Sequence, residues 1–378
     1  MVGQNKLTRG DGARNYGIDL LRILSMFMIV ILHVNTHGGV LDATHGDIIK
    51  NQTAWFIEAF AFASVNCFSL ISGYVGVDSR YRYRNIALLW LRVFYYNALI
   101  TLLFFIFNRG SVGNEQLVSL LFPVSAKEYW YFTSYFVMFL FLPLLNKAVE
   151  CLSKRAAAAV ILVFLVFVGV LSPVFTRFFG DPFVLSDGYS PWWLAAMYFI
   201  GGFIKKYGLF PNIRRGIWLL IFVLSCLCAW AMQIAVRETG KAVLHEDTGV
   251  GIIMNNTFIL IVLQAVALLM IFRDVKISRR FSAFIGFLTP MVFSVYLIHD
   301  HPLIREYVMS RLIPVDTGDN CFMIALAVIG GSLIIFTACL LIDIPRRYLF
   351  EALKLRKHLD KAERGIRAKL GPKIEKTK

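Results

Sequence analysis

The chain has 378 residues, 58% of them hydrophobic and only 17% charged, with a formal net charge of +15. Soluble domains run at about 45–50% apolar and about 25% charged, so a soluble fold is excluded at the outset. A nucleic-acid binder would interleave its basic residues with aromatics on polar surfaces, whereas here they separate apolar runs long enough to cross a bilayer, and no nucleic acid is expected as a partner. Cys67, Cys226, Cys228 and Cys339 sit inside apolar stretches and read as small packing residues, not as a disulfide framework.

About 20 apolar residues are needed to cross the hydrocarbon core. In chain order that length predicts ten spans, at 18–36, 54–76, 86–107, 129–146, 156–176, 192–204, 216–236, 251–272, 284–302 and 322–344. The first follows basic residues as a secretory signal would, but it carries Arg22 and His33 and ends without a cleavage pattern, so it is expected to be retained. The sixth is short and is expected to extend past Trp192 or to pack obliquely. Trp55, Tyr129-Trp130-Tyr131 and Trp192-Trp193 supply interfacial aromatics.

Lysine and arginine set the orientation, because loops on the cytoplasmic side retain them. With the N-terminus inside, Arg80/Arg82/Arg84, Lys147/Lys154/Arg155, Lys205/Lys206/Arg214/Arg215, Arg273/Lys276/Arg279/Arg280 and everything from Arg346 onward fall in the cytoplasm. Outside lie only Lys50, Arg109, Lys127, Arg177, Arg237, Lys241, Arg305 and Arg311. The expected protein is an all-α polytopic bundle of about ten spans with both termini cytoplasmic. It divides into a membrane domain over 1–345 and a basic tail over 346–378. The tail, with Tyr348, Leu349, Leu353, Leu355 and Leu359 spaced among its cations, reads as a helix resting on anionic lipid or as a solvated topology signal.

Asp19, Arg22 and His33 share the first span. Charged groups at membrane depth cost several kcal/mol and usually face a partner or a polar cavity. Eleven residues at about 100° each bring Arg22 and His33 to within roughly 20° of one face, about 16 Å apart along the axis. Asp19 lies three residues before Arg22 and can hold it. A guanidinium at the inner mouth suits the phosphates of an anionic donor, and an imidazole further out suits proton transfer. The plainer alternative has Arg22 reaching to lipid phosphate and His33 making one interhelical hydrogen bond.

Beyond this point the sequence resembles the acyltransferase-3 family of bacterial membrane O-acyltransferases. Arg22 and His33, ten residues between them after an Asp-Leu-Leu, resemble its Arg-x10-His signature. Ser64-Val-Asn-Cys-Phe-Ser-Leu-Ile-Ser-Gly-Tyr74, Tyr129-Trp-Tyr-Phe-Thr-Ser-Tyr135 with Leu142-Pro-Leu-Leu-Asn146, Ile200-Gly-Gly-Phe203 and Ser294-Val-Tyr-Leu-Ile-His299 follow in the family's order. The likeness covers roughly residues 14–345. It implies acyl-CoA, in the first instance acetyl-CoA, as a cytoplasmic donor, and a hydroxyl of a surface glycan or lipid-linked oligosaccharide as acceptor, in a multi-pass protein of the bacterial cytoplasmic membrane. His33 would be the catalytic base or a transient acyl carrier, and Arg22 part of the donor site. Members often carry two arginines separated by two residues after the second span. Arg80-Tyr-Arg-Tyr-Arg84 departs from that, which leaves Arg82 and Arg84 as phosphate contacts of looser standing.

Arg92, in the third span, is a second donor contact or the counter-ion of a neighbouring carboxylate. Asn66, Ser72 and Tyr74 are candidate hydrogen-bond donors, with helix packing as the plainer role. Glu58 could orient a sugar hydroxyl or sit solvated at the interface. His299-Asp-His301 invites a metal, but three adjacent residues close a coordination sphere poorly and the sequence shows no other ligand, so no metal is expected and His299 is read as a hydrogen-bonding group near the outer end. His37 and His45 read as solvated loop residues. The rival class is a transporter or flippase of glycan intermediates, which should show inverted halves or broken spans at matching positions; neither is evident.

Overall fold

The computed structural model describes residues 14–208, 211–244, 250–313 and 320–374. Lys6, Arg9 and His245 lie outside the described residues. Ten main helices follow the ten apolar runs: α1 (Tyr16–Thr36), α2 (Ile48–Gly76), α3 (Tyr83–Phe107), α4 (Trp130–Cys151), α5 (Lys154–Leu171), α6 (Pro191–Tyr207), α7 (Arg215–Leu244), α8 (Ile259–Phe272), α9 (Arg279–His299) and α10 (Cys321–Ala352). Eight of them are long and apolar enough to cross a membrane, which makes the chain an all-α, multi-pass membrane bundle. The other two, α6 with 17 residues and α8 with 14, fall short of that length. Most of their residues are buried, so their length is matched to neighbouring helices and not to lipid.

Helix starts follow local chemistry. Asn15 caps α1 by accepting from the Ile18 N–H, Asp47 caps α2, and Ser190 with Pro191 opens α6. The eighth expected span is corrected: a helix over 251–272 is broken at Met254–Phe258, leaving a four-residue turn, Val250–Ile253, before α8. Non-helical backbone survives at such depth only when protein groups satisfy it. Here Asn66 Nδ2 donates to the Asn256 carbonyl (2.8 Å), Asn255 Nδ2 to Asp187 Oδ1 (2.7 Å), and Thr257 Oγ1 to Asn255 Oδ1 (2.8 Å).

α1 runs through the middle, touching α2, α8, α9 and α10. α6 lies against the second half of α2 at glycine contacts. A Cβ on Gly73 would collide with the Tyr198 carbonyl oxygen, and one on Gly201 with that of Leu70. Small residues of this kind let membrane helices approach backbone to backbone. Gly73→Ala is therefore expected to lower the thermal unfolding temperature in detergent by the equivalent of about 1–3 kcal/mol of overpacking. Gly330→Ala, where the added methyl meets open space, should leave it unchanged; equal behaviour of the two variants would mean that the α2–α6 contact is not this close.

At the basic end α10 continues without interruption through Pro345 to Ala352, and α11 (Leu355–Ile374) folds back onto the start of α3. Arg84 pairs with Asp360, its backbone N–H donates to Glu363 Oε2 (3.3 Å), and Arg367 Nη2 donates to the Tyr81 carbonyl (2.7 Å). The hydrogen bond from Arg84 holds the Asp360 carboxyl below its ordinary range. The tail is thus a helix docked on the arginine loop of its own chain through acids that the basic composition hides.

Candidate active site

Two polar clusters lie at different depths along α1. At the basic end Arg22 Nη1 donates to Asp19 Oδ1 (2.9 Å), and Arg14 Nε bonds the other oxygen of the same carboxylate. Asp19 is buried, so it fixes Arg22 without leaving a bare charge. Arg22 lines a cleft of about 230 Å³ whose walls include Ser72, Asn85, Tyr131, Tyr135 and Thr289, with Phe68, Phe139 and Phe293 among its apolar residues. A mouth of this kind offers a fixed cation to an anion and aromatic walls to an apolar chain.

His33 is the centre of the second cluster. Its Nδ1 lies 2.9 Å from His299 Nε2, and the His299 Nδ1 lies 2.6 Å from the Val295 carbonyl. A carbonyl only accepts, so His299 Nδ1 must carry a proton. With both rings neutral, His299 Nε2 then accepts from His33 Nδ1–H, and the His33 lone pair is left on Nε2. That is the tautomer a general base needs, and it is set by one backbone oxygen two residues into a relay. Asp300 is 3% exposed and places Oδ1 3.4 Å from His33 Nδ1, 3.9 Å from His37 Nε2 and 3.6 Å from Arg305 Nη1.

His33 does not line the Arg22 cleft. Aromatic rings span the interval: Tyr131, in the cleft wall, lies 6.3 Å from Tyr296 between centroids, Tyr296 lies 6.4 Å from His299, and His299 lies 5.0 Å from His33. Three rings thus link the cleft wall to His33, while Arg22 is held by buried Asp19.

The remaining candidates scatter. Ser72 is in the cleft wall, but its hydroxyl donates to the Phe68 carbonyl (2.8 Å). Asn66 is committed at both ends, to the Asn256 carbonyl and to Trp193 Nε1 (2.8 Å), and serves the broken-helix knot. Tyr74 lies under Lys205 at the basic end. Glu58 is buried, not solvated at an interface, and accepts from Asn35 Nδ2 (2.8 Å). Arg82 is exposed, whereas Arg84 is buried and engaged by α11. Arg92 stands near both Asp343 and Arg346, and the Asp343 carboxylate pairs with Arg346. Sequence reasoning missed Asp300, His37, Tyr131 and Tyr296. His37 stands four residues after His33, one helical turn, and that spacing was the available signal.

A family model described as an acyltransferase domain matches residues 15–344, nearly the whole chain. The chain belongs to the acyltransferase-3 family. No curated protein and no solved structure matches it. An acyltransferase-3 protein with this bundle is a membrane acyltransferase, of a family that acts on carbohydrates generally.

Proposed function

We propose that this acyltransferase takes an acetyl group from acetyl-CoA on the cytoplasmic side of a bacterial membrane and transfers it to a hydroxyl of a surface glycan or lipid-linked precursor on the outer side. The observation that carries the reading is the pairing on one helix of Arg22, in a cleft at the basic end, with His33, held in its base tautomer by His299 and the Val295 carbonyl. In this reading the phosphates of the donor rest at Arg22, with exposed Arg82 three residues before Asn85 of the cleft wall, and the thioester arm follows the rings of Tyr131 and Tyr296.

The reaction forms one C–O bond and breaks one C–S bond. His33 Nε2 takes the acceptor proton as its oxygen attacks the thioester carbonyl, and the proton then passes to the departing CoA sulfur. Tyr296, whose buried hydroxyl stands beside Asp300, is the donor proposed for the developing oxyanion. Asn66 and Ser72, both already donating elsewhere, are not proposed for it.

The test uses purified full-length protein in detergent with isotope-labelled acetyl-CoA and a glycan acceptor. Label should appear as an ester on the glycan, and Arg22→Ala should raise the KM for acetyl-CoA with a smaller effect on kcat. Loss of a charge-assisted contact of about 1.5–3 kcal/mol predicts roughly a 10- to 100-fold rise. Absence of any label transfer, as expected of a flippase, would remove the proposal. An unchanged KM in Arg22→Ala would remove Arg22 from the donor site.

A further inference from the structure

We propose that His33, His37 and Asp300 form a zinc site that, when occupied, switches the enzyme off. The sequence argued against a metal because His299-Asp-His301 lacked outside ligands, and the fold supplies them from α1. His33 and His37 are one helical turn apart, the spacing by which a helix offers two imidazoles to one ion, and their ring centroids are 5.1 Å apart. His33 Nδ1, His37 Nε2 and Asp300 Oδ1 all lie within 4.8 Å of one another. Tetrahedral zinc with bonds of about 2.0 Å needs ligand atoms about 3.3 Å apart. The His33 to Asp300 distance, 3.4 Å, is of that size, and the His37 to Asp300 distance, 3.9 Å, needs a small closure. The ion takes the place of His299 Nε2 at His33 Nδ1, so the His33 ring must turn away from His299 to bind it. The His37 side chain is 35% exposed and follows the last residue of α1, so it can make that movement and also gives the ion access from solvent.

The second observation is the state of Asp300. The residue is buried, and among the described residues Oδ1 accepts no well-formed hydrogen bond, although imidazoles and a guanidinium stand around it at 3.4–3.9 Å and the Tyr296 hydroxyl lies beside the carboxyl. A buried carboxylate oxygen whose cationic neighbours all stand beyond hydrogen-bonding geometry is short of a close cation. Arg305 is the present substitute at 3.6 Å, and with 37% of its side chain exposed it can swing away. Imidazole nitrogen favours zinc over magnesium or calcium, which prefer oxygen ligands.

Inhibition follows from the tautomer. Zinc takes the Nδ1 lone pair of His33, so the ring proton must reside on Nε2, the atom that the proposed reaction needs bare. The inhibitory half therefore rests on His33 as the base, and the binding half does not.

The experiment titrates zinc chloride into EDTA-treated, dialysed full-length protein in detergent by calorimetry, with magnesium as the comparison ion. One zinc per chain is expected, with no saturable magnesium binding. His37→Ala and Asp300→Asn should each weaken zinc by roughly 10- to 100-fold or more. Arg305→Ala should tighten it. Zinc should stop acetyl transfer by the wild type and EDTA should restore it, whereas the transfer rate of His37→Ala, whatever its level without metal, should not respond to zinc. Non-stoichiometric binding, or binding unchanged in both His37→Ala and Asp300→Asn, overturns the site. Ligand-dependent binding that leaves transfer running overturns the switch alone. Ligand-dependent binding in a protein that transfers no acetyl group supports the site and instead sinks the acyl-CoA reading.

Discussion

His33→Ala is expected to reduce acetyl transfer by about 10²–10⁴-fold, the contribution of a positioned proton acceptor, and further if the imidazole carries the acyl group itself. Expression, membrane insertion and thermal stability should stay near wild type, because the ring's hydrogen bond within the protein is to His299, which keeps its own bond to the Val295 carbonyl. His299→Ala separates base from orienter. It leaves His33 present but frees the ring to adopt either tautomer, with Asp300 Oδ1 at 3.4 Å as the remaining neighbour of Nδ1. That variant should lower kcat by a smaller factor and leave the KM for acetyl-CoA unchanged, the reverse of Arg22→Ala. Label transfer by His33→Ala at the wild-type rate would remove the imidazole from the chemistry. Equal kcat in His299→Ala and wild type would show that the relay does not set the tautomer.

Much of this architecture was legible because lipid imposes one rule on every span: a run of apolar residues of fixed length with cations at one end. α1 through α10 appear in the expected order, and the approach of Arg22 and His33 to one helical face needed only the 3.6-residue repeat. Contacts between distant segments were not legible. His33 and His299 are 266 positions apart, and no periodicity joins them. The same limit hid the engagement of Arg84 by Asp360 and the knot that commits Asn66. In each case a polar residue assigned by type to substrate is already satisfied by another part of the chain. The break before α8 was a different matter, since Asn255-Asn256-Thr257 are residues whose side chains compete for backbone hydrogen bonds.

Asp343 lay inside the last predicted span unremarked, and its removal is expected to be among the most destabilising single changes in the molecule. Its carboxylate is fully buried and accepts from Tyr96 Oη (2.5 Å), Arg346 Nε (2.8 Å) and Arg346 Nη2 (2.6 Å), with Arg92 close by. The bidentate pair spans three residues of α10 and ties it to α3 through Tyr96. Asp343→Ala would leave the buried Arg346 guanidinium and its neighbour Arg92 without their shared counter-charge, a loss of about 3–5 kcal/mol. Tyr96→Phe removes one hydrogen bond to a charged acceptor and should cost less, about 1.5–3 kcal/mol. The contrast lies in the double variant Asp343→Leu/Arg346→Met: it removes the orphaned Arg346 and, for Arg92, removes a repelling charge along with the attracting one, so it should recover much of the stability. Thermal unfolding in detergent measures all three. If Asp343→Ala unfolds at the wild-type temperature, the carboxylate is not compensating the arginines. If the double variant is as unstable as the single one, the tie from α3 to α10 depends on the hydrogen-bond geometry itself and not on charge balance.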